Sequence, residues 1–379
     1  MVFETAERAS GDPRTMKELS DVKAPMIFVP GLLGSCLFKK GGEPLWPSLG
    51  WWDKGHFKPT SLREITSVGE RETSQNEPLF PLVYSEMLRH FEDMGYVIGR
   101  NFWMFPYDWT QSSRISGRKL EQFIRETLST HPRWQQVDIV THSMGGLVTR
   151  AAAKLYSAPI RRTVYIASPH CGSPKAFFLV HRKMRFSVFG GFFGNLIGDL
   201  VWRWYLHRLA PIGSINLEKE IKGMACQLDS VFELLSDRFY FERNHAVVIR
   251  RRPGRDFPVG GLEATYYTGP ARLPSSLCQD RARRAMAFKE ELGGTLPGNE
   301  NLVIYSDCEK TDDQVVYPGR VWWLLGWYRD SGQRGDSIVP VNSATLNNPA
   351  AASRVWGTHI GVPNSEEATT LIREFLDKP

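Results

Sequence analysis

Val137-Asp138-Ile139-Val140-Thr141-His142-Ser143-Met144-Gly145-Gly146-Leu147-Val148 is the stretch on which the fold turns. It opens as a short run of β type and turns at His142-Ser143-Met144. From about Gly145 it places Leu147, Val148 and Ala151 at helical spacing. A Ser two residues before a Gly, on a strand-to-helix turn, is the nucleophile elbow of an α/β-hydrolase, which lifts the Ser oxygen above a sheet. The turn strains the backbone, so its neighbours must be small. The helix N-terminus beneath it favours developing negative charge. An ordinary N-cap Ser is the bland alternative; the strand before and the helix after favour the elbow. Position 141, where G-x-S-x-G has its first glycine, holds Thr141.

Outward from the elbow, strands and helices alternate. Ala24 to Pro30 reads as a first buried strand running into Gly31-Leu32-Leu33-Gly34-Ser35. Lys39 to about Asn76 reads as irregular, rich in Gly and Pro. Pro81 to Met94 is an amphipathic helix, with Leu82, Met87, Leu88 and Phe91 on one side and Gly95 as its stop. Phe102 to Phe105 is a strand before Pro106-Tyr107-Asp108-Trp109, and a helix follows from about Ser116 to Ser129. Arg162 to Ala167 is a further strand. The core resumes at Asn301 to Tyr305, continues through Tyr317 to Trp327 and Gly335 to Pro340, and closes with a helix from Ser365 to Leu376. This rhythm predicts a mostly parallel sheet covered on both faces.

The expected organisation is a loosely ordered tail over 1–24, a core from 25–174 and 301–379, and an inserted cap or lid over 175–300. The first part of that insertion, Ala176 to about Leu209, mixes aromatics such as Phe192, Phe193 and Trp202 with Arg182, Lys183 and Arg203, around paired Gly190-Gly191. It reads either as a mobile lid with an interfacial face or as a plain helical cap. A chain of 379 residues holds such an insertion besides the core. Its formal charge of +6 suits anionic lipid without demanding nucleic acid, and no basic run interleaved with stacking aromatics suggests RNA or DNA. The 12 tryptophans serve cores, and they also serve membrane interfaces and apolar substrate sites. The start, Met1 to Ala24, lacks the regions of a secretory leader, and no apolar stretch reaches the roughly 18 residues of a membrane span. A cytoplasmic protein, membrane-associated at most, is expected. Five scattered cysteines suggest neither a zinc site nor a disulfide framework, and no motif calls for a metal or another cofactor. No feature specifies an oligomeric state.

Ester chemistry needs a nucleophile, a base, an acid to orient the base, and donors for the oxyanion. In this fold they come in the order Ser, Asp or Glu, His. Nine histidines occur, and His359, in Gly357-Thr358-His359-Ile360-Gly361, lies alone beyond about residue 250. It is the expected base. His142 precedes the nucleophile and is expected to pack or hydrogen-bond under the elbow. Asp336 is the expected acid, at the end of a strand, with Asp307 as the alternative. The oxyanion donors are expected to be the backbone N–H groups of Met144 and Leu32.

Four blocks resemble the lecithin:cholesterol acyltransferase family: Val29 to Ser35, Pro106-Tyr107-Asp108-Trp109, His142-Ser143-Met144-Gly145, and Gly335 to Val339 with His359 behind it. Gly95-Tyr96-Val97 and Gln227 to Leu235 add to the likeness. The resemblance implies Ser143 as nucleophile, Asp336 as acid, His359 as base, and Leu32 with Met144 as oxyanion donors. It implies a lipid acyltransferase or lipase that takes an acyl chain from a lipid ester through an acyl-enzyme to an alcohol or to water. It also implies lipid contact through Trp46, Trp51, Trp52 and the mid-chain stretch containing Phe192, Phe193 and Trp202. A carboxylesterase or thioesterase for small soluble esters, using the same residues, is the alternative. A catalytically dead hydrolase fold serving as a binding module is a third.

Overall fold

Met26, Ile27, Phe28 and Val29 are apolar at every position, the pattern of a strand covered on both sides, and all four are fully buried. The computed structural model describes residues 23–39, 44–46, 65–68, 81–180, 223, 225–242, 247–252, 255–258, 261–268, 272–312, 314–318, 328–330 and 333–378. The core elements, in chain order, are β1 (Met26–Val29), α1 (Pro81–Asp93), β2 (Phe102–Met104), α2 (Ser113–Ser129), β3 (Val137–His142), α3 (Gly145–Tyr156), β4 (Ile160–Ile166), α4 (Ser276–Leu292), β5 (Glu300–Tyr305), β6 (Ser353–Arg354) and α5 (Glu366–Leu376). The six strands form one sheet in the order β6-β5-β4-β3-β1-β2, and every pairing is parallel.

Alternate side chains along these strands feed two cores. Ile27, Val29, Val137 and Ile139 pack with Leu120 and Ile124 of α2, Val148 and Ala152 of α3, and Ala282 and Met286 of α4. Met26, Phe28, Val140, Val164 and Ile304 point the other way, onto Met87, Leu88 and Phe91 of α1 and Ala368, Ile372 and Phe375 of α5. Helices on both faces of a parallel sheet make this the expected α/β-hydrolase frame. Ligands in such sheets bind at the carboxyl ends of the strands, where the loops after β1, β3 and β6 converge.

Four differences from the sequence reading have physical causes. Helix α2 starts at Ser113, three residues before Ser116, because the Ser112 side chain caps it and the buried Glu233 carboxylate accepts from Ser113 N at 2.7 Å. The stretch read as irregular contains a three-stranded antiparallel sheet of Leu37–Lys39, Pro44–Trp46 and Ile65–Val68. These strands are too short, and their register too broken, to leave a period. Helix α4 lies inside the span read as cap, yet it covers the core: Phe288 and Leu292 pack on Leu147 and Ala151 of α3. Of the Tyr317 to Trp327 span read as continuing the core, 319–327 lies outside the described residues, and Tyr317 falls in the strand Gln314–Pro318. That strand instead pairs with Val247–Arg252 in a separate four-stranded sheet, completed by Arg255–Pro258 and Tyr328–Asp330. β propensity identifies a strand without naming its partner. Of the stretch read as lid, Ala176 to about Leu209, the start belongs to a helix, Pro174–Val180, and 181–209 lies outside the described residues, as do Trp51, Trp52, Phe192, Phe193 and Trp202; of Trp46 the backbone alone is described, paired with Leu37.

Candidate active site

Ser143 follows the last residue of β3 with φ of 54°, a left-handed conformation that side chains adopt only under constraint. Its N–H bonds Ile166 O at 2.9 Å, and its carbonyl accepts from Gly146 N at 3.0 Å as α3 begins. The two glycines behind it are obligatory. A Cβ on Gly145 would stand 2.5 Å from Val29 O and 2.6 Å from Pro30 O, and one on Gly146 would stand 2.3 Å from Ser168 Oγ. Thr141 at the usual glycine position is accommodated because Gly145 leaves room for it. Its hydroxyl donates to Val29 O at 3.2 Å, while the same hydroxyl would be 2.6 Å from a Cβ at 145.

Three chain-distant side chains meet at this turn. His359 Nε2 lies 2.9 Å from Ser143 Oγ, and His359 Nδ1 lies 2.7 Å from Asp336 Oδ2. The His359 backbone N–H also donates to Asp336 O at 2.8 Å, so ring and main chain are both held by one residue. Asp336 Oδ1 accepts from Ile338 N at 2.9 Å and Val339 N at 2.7 Å. Burial would raise this carboxyl, but His359 and the two N–H groups outweigh it and hold it below the ordinary carboxylate value. An ionised Asp336 against Nδ1 selects the tautomer with its proton there, which leaves Nε2 to accept from the Ser143 hydroxyl.

Asp336 reaches this position by a route the sequence did not suggest. It follows Gln333–Gly335, which pairs antiparallel with Glu309–Thr311 outside the parallel sheet. Gly335 is needed there, since a Cβ would meet Val339 O at 2.3 Å and Thr311 Oγ1 at 2.6 Å. Ser337 has φ of 82°, with its N–H on Thr311 Oγ1 at 2.9 Å. The alternative acid, Asp307, is turned to an ion pair with Arg354 at 2.6 Å.

Leu32 lies in the Pro30–Ser35 loop on the other side of Ser143. A Cβ on Gly31 would come within 2.9 Å of Ser143 Cβ, so this loop presses directly on the elbow. Among the described residues, neither Leu32 N nor Met144 N is bound to another group. The Pro-Tyr-Asp-Trp block holds the loop from behind. Tyr107 donates from its hydroxyl to Pro30 O at 2.9 Å, Tyr107 N donates to Ser35 Oγ at 3.1 Å, and Trp109 Nε1 donates to Ser35 O at 3.0 Å. Asp108 faces inward on its own turn, accepting from Thr110 N at 3.0 Å and Gln111 Nε2 at 2.5 Å. The chemistry available is that of a hydroxyl nucleophile, an imidazole base, a buried carboxylate and two unengaged N–H groups.

Sequence reasoning missed Tyr84. It lies on the stripe of Met87, Leu88 and Phe91 in α1, buried, with its hydroxyl 2.8 Å from His142 Nδ1. A tyrosine among apolar stripe residues was the available signal; its partner, 58 residues on, was not visible.

Residues 74–183 match the model of the family described as Lecithin:cholesterol acyltransferase. A lecithin-cholesterol acyltransferase-like 4 protein of Arabidopsis thaliana is 29% identical over 97 residues, which are 24% of this chain and 18% of that relative's length. Among solved structures, a chain of the Tle4–Tli4 complex superposes with a TM-score of 0.68 at 15% identity, covering 93% of this chain and 98% of its own. At that identity the superposition speaks for the fold alone, and it does so across the whole frame rather than one segment. The chain therefore has the α/β-hydrolase fold, and within that frame residues 74–183 match the lecithin:cholesterol acyltransferase family model.

Proposed function

We propose that this chain is a serine-dependent lipid O-acyltransferase or lipase, which moves an acyl chain from a phospholipid or other lipid ester to an alcohol or to water. The observation that carries the reading is the continuous line from Ser143 Oγ through His359 to Asp336, at 2.9 and 2.7 Å, on a strained elbow. In the first half-reaction Ser143 Oγ attacks the ester carbonyl as His359 Nε2 takes the hydroxyl proton. Met144 N–H and Leu32 N–H receive the oxyanion. The tetrahedral species collapses, the C–O bond to the leaving alcohol breaks, and His359 returns the proton to that alcohol. An acceptor alcohol or water then attacks the acyl-Ser143, passes its proton to His359, and releases the product ester or fatty acid with the serine restored.

The match to the acyltransferase family over 74–183 supports a lipid ester as donor. In this proposal Trp46, Trp51, Trp52, Phe192, Phe193 and Trp202 supply apolar contact to the acyl chains or to a membrane surface, as a peripheral rather than spanning contact. Among the described residues no helix is long and apolar enough to cross a membrane.

The test is product analysis by mass spectrometry on phosphatidylcholine vesicles containing a sterol and a diacylglycerol, with Ser143→Ala as control. Sterol ester or triacylglycerol that is absent from the control supports transfer and names the acceptor. Free fatty acid alone assigns a phospholipase. Activity on short soluble esters with no product from vesicles would replace this reading with that of a small-ester hydrolase.

A further inference from the structure

We infer that Tyr84 and His142 form a buried brace that ties the oxyanion loop to the base loop beneath the nucleophile, and so act as positioning residues for the reaction. The inference rests on Ser143 as nucleophile and His359 as base. Its geometry is a chain of three contacts: Gly31 N to Tyr84 Oη at 3.2 Å, Tyr84 Oη to His142 Nδ1 at 2.8 Å, and His142 Nε2 to the main-chain oxygen of His359 at 3.0 Å.

The hydrogen positions follow from the partners. A carbonyl oxygen carries no proton, so His142 Nε2 must donate to His359 O. In a neutral ring Nδ1 is then the acceptor, and the Tyr84 hydroxyl must donate to it. That leaves a Tyr84 oxygen lone pair free for the Gly31 N–H. Every donor meets one acceptor, in one direction, from the residue before Leu32 to the main chain of His359. Tyr84 and His142 are both buried, and their rings stand edge to face with centroids 5.6 Å apart. The His142 and His359 rings lie 4.8 Å apart. Burial, reinforced by the His359 charge, depresses His142 to about 3, so the ring stays neutral and keeps this polarity while His359 cycles its proton.

The consequence is mechanical. Gly31 places the Leu32 N–H, and the His359 carbonyl belongs to the residue whose Nε2 takes the proton. The two loops are 328 positions apart in the chain (359 − 31) and share one cross-link whose length is set by two aromatic side chains. Tyr84 brings α1 into the same linkage. Displacing a catalytic group by about 1 Å costs on the order of 100-fold; removing the brace takes one tether from each loop at once, leaving the first held by Tyr107 and Trp109 and the second by Asp336.

The experiment uses the full chain and a fluorophosphonate, which forms a P–O bond to Ser143 Oγ with loss of fluoride. Its maximal labelling rate is read separately from its half-saturating concentration. Tyr84→Phe, which removes one oxygen, is expected to lower the maximal rate about 30- to 100-fold. The half-saturating concentration should stay within about threefold, and the melting temperature within a few degrees. His142→Gln keeps an amide N–H for the His359 carbonyl and should stay within about tenfold of the wild type; His142→Leu, which has none, should fall by about 100-fold. A Tyr84→Phe rate within about threefold of the wild type overturns the brace. So do equal losses in His142→Gln and His142→Leu, because a purely structural histidine gains nothing from the retained donor. If His142→Leu fails to fold, Tyr84→Phe and His142→Gln decide alone. A Ser143→Ala protein that is still labelled, or a wild type that is not, overturns the proposed function itself, and the brace with it.

Discussion

Asp336 shows how little of a residue's role is local. By sequence it is an acid after a glycine, in a stretch where turn chemistry is common. In the structure it accepts two backbone N–H groups on one oxygen and His359 on the other. Asp307, the alternative, lies two residues after β5 and serves an ion pair with Arg354. The kinetic consequence can be checked directly. Ser143→Ala and His359→Ala should each abolish most turnover, and the double variant should be little worse than either, because the residues act as a unit. Asp336→Asn should lose about 10⁴-fold, since an amide no longer selects the productive tautomer. Measured kcat for the three single variants and the Ser143→Ala/His359→Ala pair tests this; additive losses would break the proposed unit.

At the scale of elements, the N-terminus of α2 carries an unusual load. Glu233, from the insertion between β4 and β5, is buried and accepts from the Ser112 hydroxyl and from Ser113 N at 2.7 Å. Burial raises its carboxyl to about 7, although both serine contacts pull the other way. The folded value therefore lies above the unfolded value of 4.5, so the native state binds the proton more tightly between pH 4.5 and 7. Stability contributed through the protonated form is complete below pH 4.5 and is lost as pH rises towards 7, by on the order of 3 kcal/mol. Urea unfolding at pH 5 and pH 8 should show a larger fall for the wild type than for Glu233→Gln, which cannot ionise. Identical falls in both would remove Glu233 as the cause. The insertion thus caps a core helix, a link that no periodicity within either segment reveals.

Across the whole molecule, the same insertion is pinned to the frame by buried charge. Lys289 of α4 donates to Leu235 O at 2.9 Å and pairs with Asp237 at 3.1 Å, both side chains almost wholly buried. Asp237 N donates to Cys171 O at 3.1 Å, and Ser173 N donates to Leu234 O at 2.7 Å, so residues 234–237 lie against the loop that follows β4. A Cβ on Gly172 would stand 2.2 Å from Leu235 O, which shows how close the approach is. Lys289→Met should lower the unfolding free energy by about 3–5 kcal/mol, because it strands a buried carboxylate. Asp237→Asn added to it should recover part of that loss. Chemical denaturation of the two variants separates this from a simple packing defect, for which the second substitution would bring no recovery.

The sequence by itself determined the elbow, the alternation of strands and helices, and the identities of Ser143, His359 and Asp336 as candidates, because each depends on short-range spacing, glycine placement or chain order. The Pro-Tyr-Asp-Trp block was legible as a point of resemblance to a family; its work of holding the Pro30–Ser35 loop was not. The tertiary structure alone decided which carboxylate faces His359, that α4 belongs to the core face, that Gln314–Pro318 and Tyr328–Asp330 belong to a separate sheet, and that Tyr84 and His142 join loops from opposite ends of the chain. Each of those is a contact between segments far apart in sequence. Spacing within a segment records which face of it is buried, and carries no information about what it is buried against.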